Sequence, residues 1–354
     1  MRASHAATST ARGRARTRVW ADLPEAELLQ VRVKDLGLKL EGTWLEDCVD
    51  SLNTELDRRG LKVQAHAWIS DEWFSPDNTP GIAVPFYLAH PRLAALERRM
   101  LLGVEGGTRR ECMQILRHEA GHVLQHTYGL HRRRRWQQLF GRSSTRYPDS
   151  YRPNPASKDF VQHLPRWYAQ SHPDEDFAET FALWLTPRSN WRKRYAEWPA
   201  LRKLEYVEEL MAEIVDAPQM LTKRVEVDPV STMSITLGEH YQKKLDHSSL
   251  ELSSTYDRDL QRIFSAEPAD RKAPPASAFV RRNRAAIRQS VSRRTGEYQI
   301  AVDTVISEII DRCRVLSLRA PGSETRLRSN VTSMLAARTV RSRYRPSRRQ
   351  WFTL

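Results

Sequence analysis

The stretch CMQILRHEAGHVLQH, residues 112–126, decides how the rest of the chain is read. Thr108 and Glu111 form a capping box in front of it, and Gly129 follows it. That spacing predicts one helix running to about Tyr128. On a helix, His118 and His122 stand one turn apart on the same face, so both imidazoles can reach a single ion. Glu119 lies about 100° around the helix from His118. It can approach a water in the site without being a ligand.

This is the H-E-x-x-H spacing of zinc hydrolases, and a catalytic zinc needs a third protein ligand and an open position. His126 shares the face, but eight residues at about 1.5 Å each put its backbone about 12 Å from that of His118, too far for one tetrahedral ion. A structural role is expected for it. The longer metzincin pattern needs Gly and His where this chain has Gln125 and Tyr128, so it fails. The stretch HPDEDFAETF, residues 172–181, offers a better partner. Glu175 and Glu179 are one turn apart on a predicted helix. One carboxylate can bind metal while the other accepts a hydrogen bond from a ligating histidine and fixes its tautomer.

HEAGH followed by EDFAETF resembles the gluzincin pattern of two histidines and a glutamate, in particular that of the anthrax lethal factor-like peptidases. LRHEAGH together with WYAQSHPDEDFAETFALWL is similar to bacterial proteins described as zinc-binding metallopeptidases. The resemblance covers about residues 30–220. It implies one Zn2+ ion held by His118, His122 and Glu175, with Glu179 behind a ligand and Glu119 as general base. It further implies that Tyr168, seven residues before Glu175, stabilises an oxyanion. Asp176 departs from the lethal factor pattern, which has an apolar residue there, and adds an acid beside the site. The activity implied is hydrolysis of a peptide or protein substrate.

Length and composition suit a water-soluble fold: 354 residues, 40% hydrophobic and 28% charged. No run of about eighteen apolar residues exists, so no membrane span is expected. The basic N-terminus has no apolar segment of the secretory kind. Cys48, Cys112 and Cys313 are odd in number and far apart in sequence, which points to free thiols and a cytoplasmic setting. The net charge of +14 favours an anionic partner, nucleic acid or acidic protein, without choosing between them. HRRRRW at 131–136, RRNRAAIRQSVSRR at 281–294 and the C-terminal tail are the candidate patches, with Trp136, Tyr344 and Trp351 as stacking surfaces.

The patterning predicts an α+β fold. A zincin-like catalytic domain, with a small mixed sheet, an active-site helix and a helical lower lobe, precedes a helical C-terminal module. The expected divisions are a disordered basic tail over 1–20, the catalytic domain over 21–225 and the basic module over 226–354. Leu45, Cys48, Val49, Leu52 and Leu56 mark the buried stripe of a helix. LKVQAHAWIS and GIAVPFYL are strand candidates, the second a sheet edge because it contains Pro85 and so open to an extended peptide. The segment 131–165 is too rich in Pro, Ser and Arg for one regular element, and its aromatics suggest a cleft wall.

Overall fold

Threonine caps start two of the long helices in the first half of the molecule. Helix α1 spans Trp44–Arg58; the Thr43 hydroxyl accepts from the Leu45 amide, and Glu46 reaches back to the Gly42 amide. Donors that the first turn would leave unpaired are satisfied in this way. All five residues of the expected stripe, Leu45 to Leu56, are buried. Each leucine there contributes about 1.5–3 kcal/mol over an exposed one. The computed structural model describes residues 19–148, 151, 154, 156–247, 256–295, 297 and 299–339.

Two strands follow, β1 at His66–Ser70 and β2 at Gly81–Pro85, paired in parallel from His66↔Gly81 to Ser70↔Pro85. The first is shorter than its alternation suggests. Leu61, Val63 and Ala65 are buried, but Ala65 donates to the Asn53 side chain of α1 instead of a neighbouring strand. Periodic burial therefore continues where the ladder does not. The mixed character expected of the sheet is reduced to one antiparallel bridge, from Phe74 to Ala83. Every residue of β2 is buried; in a two-stranded sheet it stands at an edge, part of which the Phe74–Ala83 bridge occupies.

Helix α2 spans Pro91–Leu101, α3 Arg109–Thr127, α4 Arg134–Phe140, α5 Pro173–Leu185 and α6 Leu201–Ile214. Thr108 caps α3 by accepting from the Glu111 amide at 3.2 Å, and the chain leaves that helix through Gly129 with φ 58°. His172 caps α5, its Nδ1 accepting from the Asp174 amide. Further on come α7 (Leu237–His247), α8 (Tyr256–Ile263), α9 (Ala276–Arg282), α10 (Arg284–Thr295), α11 (Gln299–Val315) and α12 (Glu324–Thr339). The described chain is thus mostly helical with one small parallel sheet, consistent with α+β.

Three hydrophobic clusters divide the buried apolar residues among the described ones: one from Trp20 to Tyr241, one from Leu260 to Leu335 and a small one of Trp68, Phe74 and Ala83. Val230, Leu237 and Tyr241 join the first, so that core continues past position 226. The cause is local. Thr236 and Glu239 cap α7 reciprocally, at 2.8 and 3.1 Å, while Val33 donates to Ile235 and Leu237 to Val31. The aromatic-poor stretch after 226 is therefore sewn to residues 31–33. Of the basic tail expected over 1–20, residues 1–18 lie outside the described residues; Trp20 is buried and donates to the Leu36 carbonyl. The three cysteines are free and buried. Cys48 of α1 and Cys112 of α3, distant in sequence, are close enough that each thiol shifts the pKa of the other, down at Cys48 and up at Cys112.

Candidate metal centre

Helices α3 and α5 cross at Gly121 and Ala178. A Cβ on Gly121 would lie 2.8 Å from Ala178 Cα, closer than real Cβ atoms approach, so glycine alone permits the contact. His118 and His122 flank Gly121 on one helix, and Glu175 and Glu179 flank Ala178 on the other. The crossing brings the four side chains together. We expect Gly121→Val to force the helices apart at a cost of about 1–3 kcal/mol. Thermal unfolding measures this, and an unchanged melting temperature would contradict the tight crossing.

His118 Nε2 lies 3.2 Å from His122 Nε2 and 3.0 Å from Glu175 Oε2, and His122 Nε2 lies 3.3 Å from the same oxygen. These three residues form a group able to hold a metal ion. Tetrahedral ligands about 2.0–2.1 Å from zinc stand about 3.3–3.4 Å apart, so the donor set and its spacing fit that ion. His118 Nδ1 donates to Glu179 Oε1 at 2.9 Å, which leaves Nε2 facing the other two donors. Glu179 is fully buried, and its Oε2 accepts from the amides of His163 and Leu164 at 3.3 and 2.9 Å. His126 does not join the group. Its Nε2 sits 3.2 Å from Asp77, and burial pushes its pKa down to about 3.

Charge in the centre favours a cation. Burial works against protonation of His118 and His122, yet Glu175 outweighs it at both, helped by Glu179 at His118, and both are raised above the ordinary imidazole value. Burial likewise opposes ionisation of Glu175, but the two imidazoles hold its carboxyl well below the usual range. Glu119 differs: burial lifts its carboxyl above the usual range against the pull of His118 and His122. The extra acid Asp176 turns to α6 instead of the centre. Lys203 Nζ lies 2.6 Å from its Oδ2, and burial pushes its pKa up to about 7 in spite of that charge.

Two neighbours of the centre were not singled out from the sequence. Ser75, in the loop between the strands, places its hydroxyl 3.0 Å from Glu119 Oε2 and 3.1 Å from the Glu119 carbonyl. Tyr147 donates to Glu175 Oε1 at 3.0 Å. Its inclusion among the aromatics of 131–165 was the one available signal. Tyr168 lies in a 3-10 turn over Pro165–Gln170, its ring 5.5 Å from that of His118. Trp167 just before it has φ 53°, a left-handed conformation that bulky residues adopt only under constraint.

Part of each described basic run faces acids of the chain itself. Arg133 pairs with Glu213 and Arg135 with Glu209, which clamps the start of α4 to α6. Arg284 and Arg288 share Asp303, and Arg282 pairs with Glu324. Trp136 is fully buried against Phe140 and Phe177, so it is no stacking surface. Tyr344 and Trp351 lie outside the described residues. Among the described residues, no helix is long and apolar enough to cross a membrane.

The family described as "Putative zinc-binding metallo-peptidase" matches residues 105–226, a span that contains α3, α5 and the whole metal group. No curated protein and no solved structure matches the chain.

Proposed function

We propose that the chain is a zinc-dependent peptidase of the gluzincin type, on a zincin-like scaffold, acting on a peptide or protein. His118, His122 and Glu175 hold one zinc ion. The observation that carries this reading is the convergence of their three donor atoms within 3.0–3.3 Å of one another, with Glu119 beside them and no part of the set. When bound, zinc supplies Lewis acidity, which polarises a peptide carbonyl and makes a nearby water more acidic.

Glu119 takes a proton from the attacking water and returns it to the leaving nitrogen as the carbon–nitrogen bond breaks. The Ser75 hydroxyl binds its Oε2 and orients the carboxylate, leaving Oε1 to exchange the proton. Glu179 fixes the tautomer of His118, so that Nε2 is the donor. Tyr168 donates to the oxyanion that develops on the carbonyl. A zinc-holding protein without hydrolysis would have no use for a buried carboxylate at 119. Recruitment by nucleic acid rests on charge alone, and five arginines of the described runs, Arg133, Arg135, Arg282, Arg284 and Arg288, already face internal acids. Free buried thiols suit a reducing compartment such as the cytoplasm.

Metal analysis and an unbiased peptide-library digest of the full chain test the proposal. We expect about one zinc per chain, cleavage that stops on chelation and cleavage that returns with added zinc. Zinc-loaded protein that cuts nothing in the library would refute the peptidase assignment.

A further inference from the structure

We propose that Tyr147 is a positioning residue for the metal centre, its phenol holding the outer oxygen of Glu175 so that the carboxylate turns Oε2 alone toward the two imidazoles. This rests on the reading of His118, His122 and Glu175 as zinc ligands. A carboxylate beside a divalent cation can bind through one oxygen or two, and the last torsion of a glutamate has a broad, shallow profile. Something else must set it. Here Oε1 accepts from the Tyr147 hydroxyl at 3.0 Å, while Oε2 lies 3.0 Å from His118 and 3.3 Å from His122.

The phenol is itself held by the start of the helix that carries Glu175. Its ring stacks on His172, with centroids 3.6 Å apart and planes 15° from parallel. Both nitrogens of His172 are engaged: Nδ1 accepts from the Asp174 amide at 3.1 Å and Nε2 donates to the Thr145 carbonyl at 2.7 Å. Asp174 in turn accepts from Ser143 at 3.0 Å and from Gln125 of α3 at 2.7 Å. The strap over 141–147 is thus tied down at alternate residues, 143, 145 and 147. Its entry at Gly141, with φ 109°, runs so close to Pro173 that a Cβ there would lie 3.1 Å from the ring. Tyrosine is required at 147 for two separable reasons. The ring makes the stack, and the hydroxyl sets the carboxylate.

Tyr147→Phe separates them, because it keeps the ring and removes one oxygen. Zinc affinity of the full chain is measured by competition with a chromogenic chelator, and the visible spectrum of the cobalt-substituted protein reports ligand geometry. The expected result is a 10–100-fold loss of zinc affinity and an altered cobalt spectrum, with the melting temperature of the metal-free protein unchanged. Wild-type affinity and spectrum in the variant overturn the role of Tyr147 and leave the ligand assignment standing. A wild-type chain that takes up neither metal overturns both. A wild-type chain that binds zinc but cleaves nothing refutes the peptidase assignment alone, and a weakened variant still supports Tyr147.

Discussion

A Glu119→Gln variant keeps its zinc and hydrolyses peptide about 10²–10⁴-fold more slowly than the wild-type chain. The substitution preserves shape. The glutamine carbonyl oxygen can still accept from Ser75, which lies 3.0 Å from Oε2 in the native site, so the loop between the strands has no reason to move. Glu119 is outside the group of donors that converge on the ion position, so metal content should be unaffected. What disappears is a basic oxygen, since an amide cannot take a proton at neutral pH. Measuring kcat/KM beside zinc stoichiometry on the same preparation separates these effects. Wild-type turnover in the variant would remove Glu119 from the mechanism.

Glu175→Ala empties the centre. Two imidazoles remain, and two neutral donors are too few for a stable tetrahedral zinc site. The loss goes beyond one ligand, because Glu175 is also the main charge that raises His118 and His122 above their ordinary values. Without it the buried pair keeps Glu179 at His118 and the weaker pull of Glu119 and Asp77 at His122. Zinc per chain after dialysis against a weak chelator should fall close to zero, and activity should go with it. Circular dichroism provides the control, since the variant should retain its helices. Retention of stoichiometric zinc would mean that the third ligand is another group.

The parts of this centre that could be read from the sequence are those that obey a period. His118, Glu119 and His122 lie on a helix whose start and stop are marked by Thr108 and Gly129, and Glu175 and Glu179 repeat the one-turn spacing. Which pairs meet was less evident, because the closeness of the helices depends on Gly121 meeting Ala178, a feature of three-dimensional packing. Ser75 and Tyr147 reach the centre from irregular chain, where no periodicity says which way a side chain points. The strand candidates show the reverse problem. Alternation over Leu61–Ala65 reflects burial correctly, but a strand also needs a partner, and Asn53 occupies the backbone of Ala65. Composition also does not reveal that the first core runs on past residue 226, where the Thr236–Glu239 cap sends Leu237 and Tyr241 into it.

All of the converging donors sit within helices packed along their length, none on a loop free to swing aside. His118 and His122 lie in the middle of Arg109–Thr127, and Glu175 and Glu179 on a helix buried on nearly every side. Local breathing begins at helix ends and surface segments, so among these donors Glu175, in the first turn of its helix, is the one it reaches first. The first turn that carries Glu175 is therefore the place where exchange of a bound ion would begin.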